Sequence, residues 1–268
     1  SQLEDLKDNG LVDDVAAILG RIQVCGTLQY AIGGAAYVQE SVFEQTDVKT
    51  EISAAIAPLL SEDAVVGSST SGIPASDFTE NLANRNRFLV AHPINPPYLA
   101  PIVEIVPTPW TDTSAVESAL ALMRKVGQSP VLVRREIEGF LLNRLQGALL
   151  REAWALFEEG YASAEDIDKT VSEGLGLRWS FMGPFETIDL NAPGGVKDYA
   201  ERLGPLYHAI DASRDNPQPW SPDLINAVEA ERRTVLSEAD LAERRNWRDR
   251  RLMALAAHKA AHKASPKD

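Results

Sequence analysis

The sequence carries a histidine and a glutamate where a general base and its orienting carboxylate are expected. His92 follows the apolar run 88–91 and precedes Pro93, so it lies where a predicted strand ends. In open α/β sheets, ligands bind at the carboxyl ends of strands. Glu104 lies inside the apolar run 102–106, where an ionised carboxylate is costly unless it is paired. Together they could form a catalytic pair, or they could be a structural histidine and a glutamate held by backbone donors.

Three other polar positions could contact a substrate or a cofactor. The run Ser68–Gly72 follows the apolar stretch 64–67, and its hydroxyls could hold a substrate oxygen or a ribose, although such runs commonly form turns and caps. Asn143 lies early in a long helical pattern, where it could donate to a substrate oxygen or pair with a neighbouring loop. Arg178 follows the glycine-rich stretch 174–177. Its guanidinium suits a carboxylate, and the alternative is a surface ion pair.

His258 and His262 are four residues apart, a spacing at which two histidines on one helix face can bind a metal ion. The surrounding sequence is rich in lysine and alanine and has no carboxylate close by. This composition is typical of a solvated helix face. We therefore predict no metal site.

The first half of the chain alternates short apolar runs with helical patterns, which cover 47–60 and 114–126. The runs that predict strands are 21–24, 36–39, 64–67, 88–91, 102–106 and 130–133. Alternation of this kind predicts an α/β domain with a mostly parallel sheet.

Strand patterns stop after about Arg134. A long helical pattern covers Gly139–Glu159, and Ser163 and Ser237 each carry the signal of a helix N-cap. We therefore predict two domains: an α/β domain over residues 1–133 and an all-helical domain over residues 134–268. No period of 20–50 residues recurs, which excludes a helical solenoid.

Composition limits the classes of partner. The 268 residues include 26 basic and 39 acidic side chains, a net charge of −13, so nucleic acid is not an expected partner. No stretch approaches ~18 unbroken apolar residues, so no membrane span is expected. Cys25 is the single cysteine and cannot form an internal disulfide, which favours a reducing compartment and predicts a cytoplasmic protein. The chain begins with Ser1 instead of methionine, so we expect a processed or trimmed start.

Several linked motifs resemble the L-3-hydroxyacyl-CoA dehydrogenase superfamily in order and spacing. They are Ser69–Ser71, Ala91–Pro97, Val103–Val106, Gly139–Leu145, Glu158–Gly160 and Met182–Glu186. More narrowly, Ser172–Trp179 and Arg245–Asp249 resemble the lambda-crystallin branch, whose vertebrate members are L-gulonate 3-dehydrogenases. The resemblance covers nearly the whole chain. It implies a Rossmann-like domain followed by a helical domain that binds substrate and forms a homodimer.

The resemblance also implies roles for individual residues. It places the catalytic base at His92, the carboxylate that orients it at Glu104, and the groups that hold the substrate's oxygen at Ser71 and Asn143. The positions that meet the nicotinamide end of NAD in that family correspond to Glu40, Gln45, Ser71 and Asn95. In the implied reaction His92 removes the hydroxyl proton while hydride leaves the carbon for NAD, and fixed donors hold the developing oxyanion.

One part of the family pattern has no counterpart in this sequence. The family opens with a strand, a G-x-G-x-x-G turn and a helix, then a second strand that ends in an acidic residue for the ribose. Gly33 and Gly34 do not complete that fingerprint, and they precede a strand. We therefore expect an N-terminally incomplete nucleotide-binding domain. It is either a fragment of an ordinary dehydrogenase, a chain that another chain completes, or a degenerate homologue.

These features favour an NAD-dependent oxidoreductase that oxidises the 3-hydroxyl of a small, L-gulonate-like L-3-hydroxy acid, with Arg178 on the substrate's carboxylate. One alternative is an L-3-hydroxyacyl-CoA or carnitine-type dehydrogenase on the same scaffold. An alternative of another class is a non-catalytic structural protein of the crystallin kind, or an inactive fragment. The expected partners are a small 3-hydroxy acid or an acyl-CoA and a second copy of the chain.

Overall fold

The computed structural model describes residues 2–214 and 219–262. Its central element is a five-stranded sheet whose strands lie side by side in sequence order. The strands are β1 (Tyr37–Glu40), β2 (Val65–Ser68), β3 (Phe88–Pro93), β4 (Ile102–Pro107) and β5 (Ser129–Leu132). The pairs β1·β2, β2·β3 and β4·β5 are parallel, whereas β3 and β4 are antiparallel. The prediction of a mostly parallel sheet is confirmed.

Helices and short turns surround this sheet in the first part of the chain. The helices are α1 (Gln2–Asp8), α2 (Val15–Leu19), α3 (Leu28–Ile32), α4 (Thr46–Ile56), α5 (Ser76–Thr79) and α6 (Thr113–Lys125). The predicted helix over 47–60 ends earlier than expected, because its last turn, Ala57–Leu59, is a 3₁₀ helix that contains Pro58.

Only helices and turns follow β5 in the part of the chain that the structure describes, so the predicted helical character is confirmed there. The helices are α7 (Leu142–Glu158), α8 (Ala164–Lys169), α9 (Gly176–Trp179), α10 (Pro184–Leu190), α11 (Gly195–Ala212), α12 (Pro222–Val235) and α13 (Leu241–Ala261). The Ser163 side chain accepts a hydrogen bond from the Asp166 backbone N–H, as its predicted N-cap role requires. None of the described helices is both long enough and apolar enough to span a bilayer.

The predicted strand at 21–24 is wrong. These residues form irregular backbone, and Val24 is 95% exposed. A β-strand is stabilised by a neighbouring strand and by burial of at least one face, and residues 21–24 have neither.

Buried apolar side chains pack against the sheet in several clusters. Val65, Leu89, Ile105 and Ala119 form the centre of one cluster, in which α6 covers the strands. Gly67 lies between Tyr37 and Ala91 on the neighbouring strands. A Cβ at Gly67 would lie 2.7 Å from the Ala91 Cβ, so glycine is required for this close packing.

Contacts divide the chain into two compact units, and the division differs from the predicted boundary at 133. The residues up to Leu145 group with the helix from Glu243 onwards, whereas Gln146–Ala242 form the second unit. The C-terminal helix contributes Met253 to a buried cluster with Leu6 and Leu99 of the first unit. A helical signal specifies the type of an element but not the surface it packs against, which explains the difference.

Candidate active site

The antiparallel pairing of β3 and β4 brings the two predicted catalytic residues together. His92 is the register partner of Glu104, and the distance from His92 Nδ1 to Glu104 Oε2 is 2.9 Å. Both are buried, with residue exposures of 6% and 1%. Since an ionised carboxylate only accepts hydrogen bonds, Nδ1 of His92 carries a proton, and in the neutral imidazole Nε2 is then the nitrogen with the free lone pair.

Glu104 is held charged by three hydrogen-bond donors. Its Oε1 accepts from the backbone N–H groups of Leu141 at 2.8 Å and Leu142 at 3.0 Å, and its Oε2 accepts from His92. Burial by itself would raise the pKa of Glu104, but these donors outweigh it and hold the pKa below its ordinary value. The pair therefore consists of a carboxylate with satisfied oxygens and an imidazole in one orientation.

A second buried carboxylate lies at the end of β1. Glu40 accepts from the Val42 N–H, from the Ser68 hydroxyl, and from Lys49 Nζ at 3.3 Å. Lys49 is 1% exposed and also lies 3.4 Å from Glu44 Oε2. Protein donors occupy both oxygens of the Glu40 carboxylate. Through these hydrogen bonds Glu40 connects β1 with β2 and α4 at the edge of the sheet.

The loop after β2 is organised by Glu44. Its Oε1 accepts from the Thr70 hydroxyl at 2.7 Å and from the N–H groups of Ser71 at 2.7 Å and Gly72 at 3.2 Å. Burial would raise the pKa of Glu44, but these bonds and the nearby Lys49 charge hold it below its ordinary value. Glu44 therefore fixes the backbone on which Ser71 is presented.

Ser71 and Asn143 are also brought together. Asn143 Nδ2 donates to the Ser71 carbonyl oxygen at 2.6 Å, and Asn143 belongs to the same first turn of α7 as Leu142. This bond uses one of the two Nδ2 hydrogens and leaves the Asn143 Oδ1 for another partner. Asn143 therefore pairs with a neighbouring loop, as one of the two interpretations predicts, and its Oδ1 is still able to contact a substrate.

The remaining predicted site residues lie at other places. Gln45 is the exposed N-cap residue of α4, and Asn95 is exposed in the loop that follows His92. Arg178 lies in α9 of the second unit, where it is half-buried. Its positive charge lowers the pKa of the Tyr207 phenol, although the hydrogen bond between Tyr207 and Tyr199 and burial raise that pKa more.

The sequence-based prediction missed Glu44 and Lys49. Both fall in or beside an amphipathic helix, where charged residues commonly face solvent, so their types gave no reason to select them. The one available signal is the spacing Glu40, Glu44 and Lys49. Lys49 lies on the same face of α4 as the buried Ser53 and Ile56, which predicts burial of its ammonium group.

Comparisons with known proteins identify the family of this chain. Residues 1–137 match the NAD binding domain of 3-hydroxyacyl-CoA dehydrogenase, and residues 139–237 match the C-terminal domain of that enzyme. The chain is 39% identical over 248 residues to the lambda-crystallin homolog of Homo sapiens, covering 89% of this chain and 75% of that protein. It is 35% identical over 246 residues to an L-carnitine dehydrogenase of Pseudomonas putida, covering 91% and 76% of the two chains.

A solved structure shares the fold. It is a 5-formyl-3-hydroxy-2-methylpyridine 4-carboxylic acid 5-dehydrogenase, described as an NAD⁺-dependent dismutase, with a TM-score of 0.69 and 28% identity. The match covers 90% of this chain and 84% of that one. With family matches across most of its length, the chain belongs to the 3-hydroxyacyl-CoA dehydrogenase family of NAD-dependent oxidoreductases.

Proposed function

We propose that this chain catalyses the NAD-dependent oxidation of the 3-hydroxyl of a small L-3-hydroxy acid, with His92 as the general base that removes the hydroxyl proton while hydride passes to NAD. The observation that carries this proposal is the hydrogen bond between His92 Nδ1 and Glu104 Oε2. This hydrogen bond leaves Nε2 to accept the hydroxyl proton. The carboxylate stabilises the imidazolium that forms and keeps the ring in one orientation. Ser71 and Asn143 hold the substrate's oxygen as negative charge develops on it.

The residues at the carboxyl ends of β1 to β3 fit the nicotinamide end of NAD. A carboxamide needs donors and acceptors, and exposed hydroxyl and amide groups at Gln45, Ser71 and Asn95 offer both. The Glu40 oxygens are already occupied by protein donors, so we assign Glu40 an indirect role: its ion pair with Lys49 stabilises this edge of the sheet. Bound NAD supplies the acceptor for the hydride that leaves the substrate carbon.

Replacement of the base gives the primary test. We expect His92→Asn to lower kcat for NAD-dependent oxidation by about 10²-fold to 10⁴-fold, because no group then accepts the hydroxyl proton. L-gulonate, 3-hydroxybutyrate and L-carnitine serve as substrates, and His208→Asn is the matched control on the exposed surface of α11. Equal turnover by the two variants would contradict the assignment.

We further propose that Arg178 binds a free carboxylate of the substrate. The support comes from the second unit alone: Arg178 is half-buried, and among the described residues no carboxylate forms an ion pair with it. A solved relative is named for a carboxylic acid substrate. A guanidinium in this condition is suited to a charge-assisted bond with an incoming acid.

Replacement of Arg178 tests the substrate class. Arg178→Met should raise KM for free acids by ~10-fold or more while leaving the activity toward acetoacetyl-CoA unchanged. Arg202→Met is the matched control, because Arg202 is an exposed arginine already paired with Asp198 in the same unit. An unchanged KM for every free acid would instead favour the acyl-CoA alternative.

A structural, crystallin-like role is the candidate of another class. Titration of NADH, followed by nicotinamide fluorescence, separates it from the enzyme. Saturable binding with a Kd in the micromolar range, which corresponds to a binding free energy of about −8 kcal/mol, supports the dehydrogenase. Absence of binding up to millimolar NADH would favour the non-catalytic role for this chain.

We also propose that two copies of the chain associate through the helical unit. Large apolar side chains are exposed there, and the most exposed are Tyr161, Phe181, Phe185 and Leu190. Trp154, by contrast, stacks on Trp220 at 4.5 Å within the same unit. Exposed apolar area of this kind is typical of protein interfaces.

Light scattering tests this association. The chain should elute with the mass of a dimer, and Phe185→Lys should shift it toward the monomer, whereas Tyr30→Lys, an exposed aromatic position in the first unit, should leave the mass unchanged. We propose a cytoplasmic location, because a single cysteine cannot form an internal disulfide and therefore favours a reducing compartment, and cell fractionation checks that location.

A further inference from the structure

The turn that precedes α7 has left-handed backbone at two consecutive residues. Gly139 has a φ of 74°, which glycine adopts freely, but Phe140 has a φ of 50°. It is the single non-glycine residue with positive φ in the part of the chain that the structure describes. An L-residue in this region is strained, and such strain persists only where the surroundings enforce it.

The Phe140 side chain explains what enforces the turn. It is fully buried in a cluster that includes Val90, Val106 and Val133 from the strands and the adjoining loop. Its ring centroid lies 5.8 Å from that of His92, with the ring planes tilted by 54°. Phe140 is therefore anchored in the core and simultaneously forms one wall of the imidazole's environment.

The left-handed turn at Phe140 sets the direction of the backbone N–H groups that follow it. The N–H groups of Leu141 and Leu142, at the start of α7, have no partner within the helix and point at Glu104 Oε1. Both hydrogen bonds have well-formed lengths, at 2.8 and 3.0 Å. They occupy Oε1, so that Oε2 is the oxygen that faces His92.

We propose that Phe140 is a positioning residue for the catalytic pair, because its buried ring holds the left-handed turn that aims two backbone N–H groups at Glu104. The inference rests on the proposed function of His92 as the base. It adds that the orientation of that base depends on the Phe140 ring and on two backbone donors. The Phe140 side chain has no polar group, so it cannot itself accept the proton that is transferred.

Two matched substitutions test this role. Phe140→Leu and Phe78→Leu each shorten a buried aromatic side chain in the same cluster, so both reduce core packing. We expect only Phe140→Leu to lower kcat, by about 10-fold to 10²-fold with KM little changed, because the base is misplaced. Its acid limb of kcat against pH should move to higher pH, since loss of the backbone donors raises the pKa of Glu104.

The backbone donor can also be removed by itself. Leu142 is the first residue of α7, a position that tolerates proline, so Leu142→Pro deletes the N–H while Leu142→Ala retains it. Leu142→Pro should reproduce the shifted acid limb, and Leu142→Ala should not. In nuclear magnetic resonance spectra, the Leu141 and Leu142 amide shifts should follow the titration of Glu104 in the wild type and lose that dependence in Phe140→Leu.

The outcomes separate the two proposals. If His92→Asn is inactive while Phe140→Leu matches Phe78→Leu in kcat, acid limb and amide titration, the positioning role is overturned and the base assignment stands. If His92→Asn retains full turnover, the base assignment is wrong, and the amide titration still decides whether Phe140 aims the donors at Glu104.

Discussion

The sheet and the helical unit Gln146–Ala242 handle their charged groups in opposite ways. At the sheet, Glu104 and Glu40 are buried, and their oxygens are occupied by protein donors. In the helical unit, ion pairs such as Lys169 with Glu165 lie in solvent, with side chains 60% and 54% exposed. Large apolar side chains are exposed there as well. The buried carboxylates of the sheet are therefore held in fixed positions by internal hydrogen bonds, whereas these charged and apolar side chains of the helical unit are exposed to solvent.

The largest expected effect concerns the charge state of the preorganised pair. Glu104→Gln should lower kcat by about 10²-fold to 10⁴-fold, because an amide that donates to Nδ1 forces the proton of His92 onto Nε2. Glu152→Gln, which changes a carboxylate paired with Arg214 in the helical unit, is the control. Steady-state kinetics measure kcat, and circular dichroism verifies that both variants fold. Equal kcat in the two variants would show that the buried carboxylate of the sheet matters no more for turnover than the carboxylate of the helical unit.

The next effect concerns stability. Lys49→Met should lower the free energy of unfolding by ~3–5 kcal/mol, because it leaves Glu40 buried without its countercharge. Lys169→Met should cause no measurable loss, since its ion pair is exposed. Urea denaturation compares the two. Adding Glu40→Gln to Lys49→Met should recover part of the loss, and failure to recover any would show that the charge is not its cause.

A pair of glycine substitutions should change stability in opposite directions. Gly67→Ala should destabilise the sheet by ~1–3 kcal/mol, because the new methyl group overlaps the Ala91 Cβ. Gly147→Ala should stabilise by up to ~1 kcal/mol, because it lies inside α7 with open space around it. Thermal unfolding of both variants makes the test. Stabilisation of the sheet by Gly67→Ala would refute the close packing described here.

The smallest effect is the pH dependence that Glu104 contributes to stability. Its pKa is lower in the folded state than the ordinary value of 4.5, so its contribution is present above about pH 4.5 and is lost as pH falls through the folded pKa. The difference in unfolding free energy between wild type and Glu104→Gln should therefore shrink with acidification. Urea denaturation between pH 7 and pH 3 measures it, and a difference that grows on acidification would contradict the sign.

Local patterns in the sequence predicted the elements that are buried and paired. The apolar runs at β2 to β5 and the helical spacing of α6 specify elements that the structure contains, because burial enforces the pattern. The same reasoning failed at 21–24, where apolar residues have a strand-like pattern but no neighbouring strand. It also assigned the C-terminal helix to the helical domain, because the packing partner of a helix is not specified by its own periodicity.

The sequence by itself determined which residue types are available for the chemistry: one histidine at a strand end, one glutamate inside an apolar run, and a resemblance that gave each a role. Only the tertiary structure decided how they are held. The antiparallel register of β3 and β4 places His92 opposite Glu104, and the left-handed turn at Phe140 aims two backbone donors at that carboxylate. Backbone donors have no residue type, and register depends on chain packing over long separations, so neither can be inferred from the local sequence.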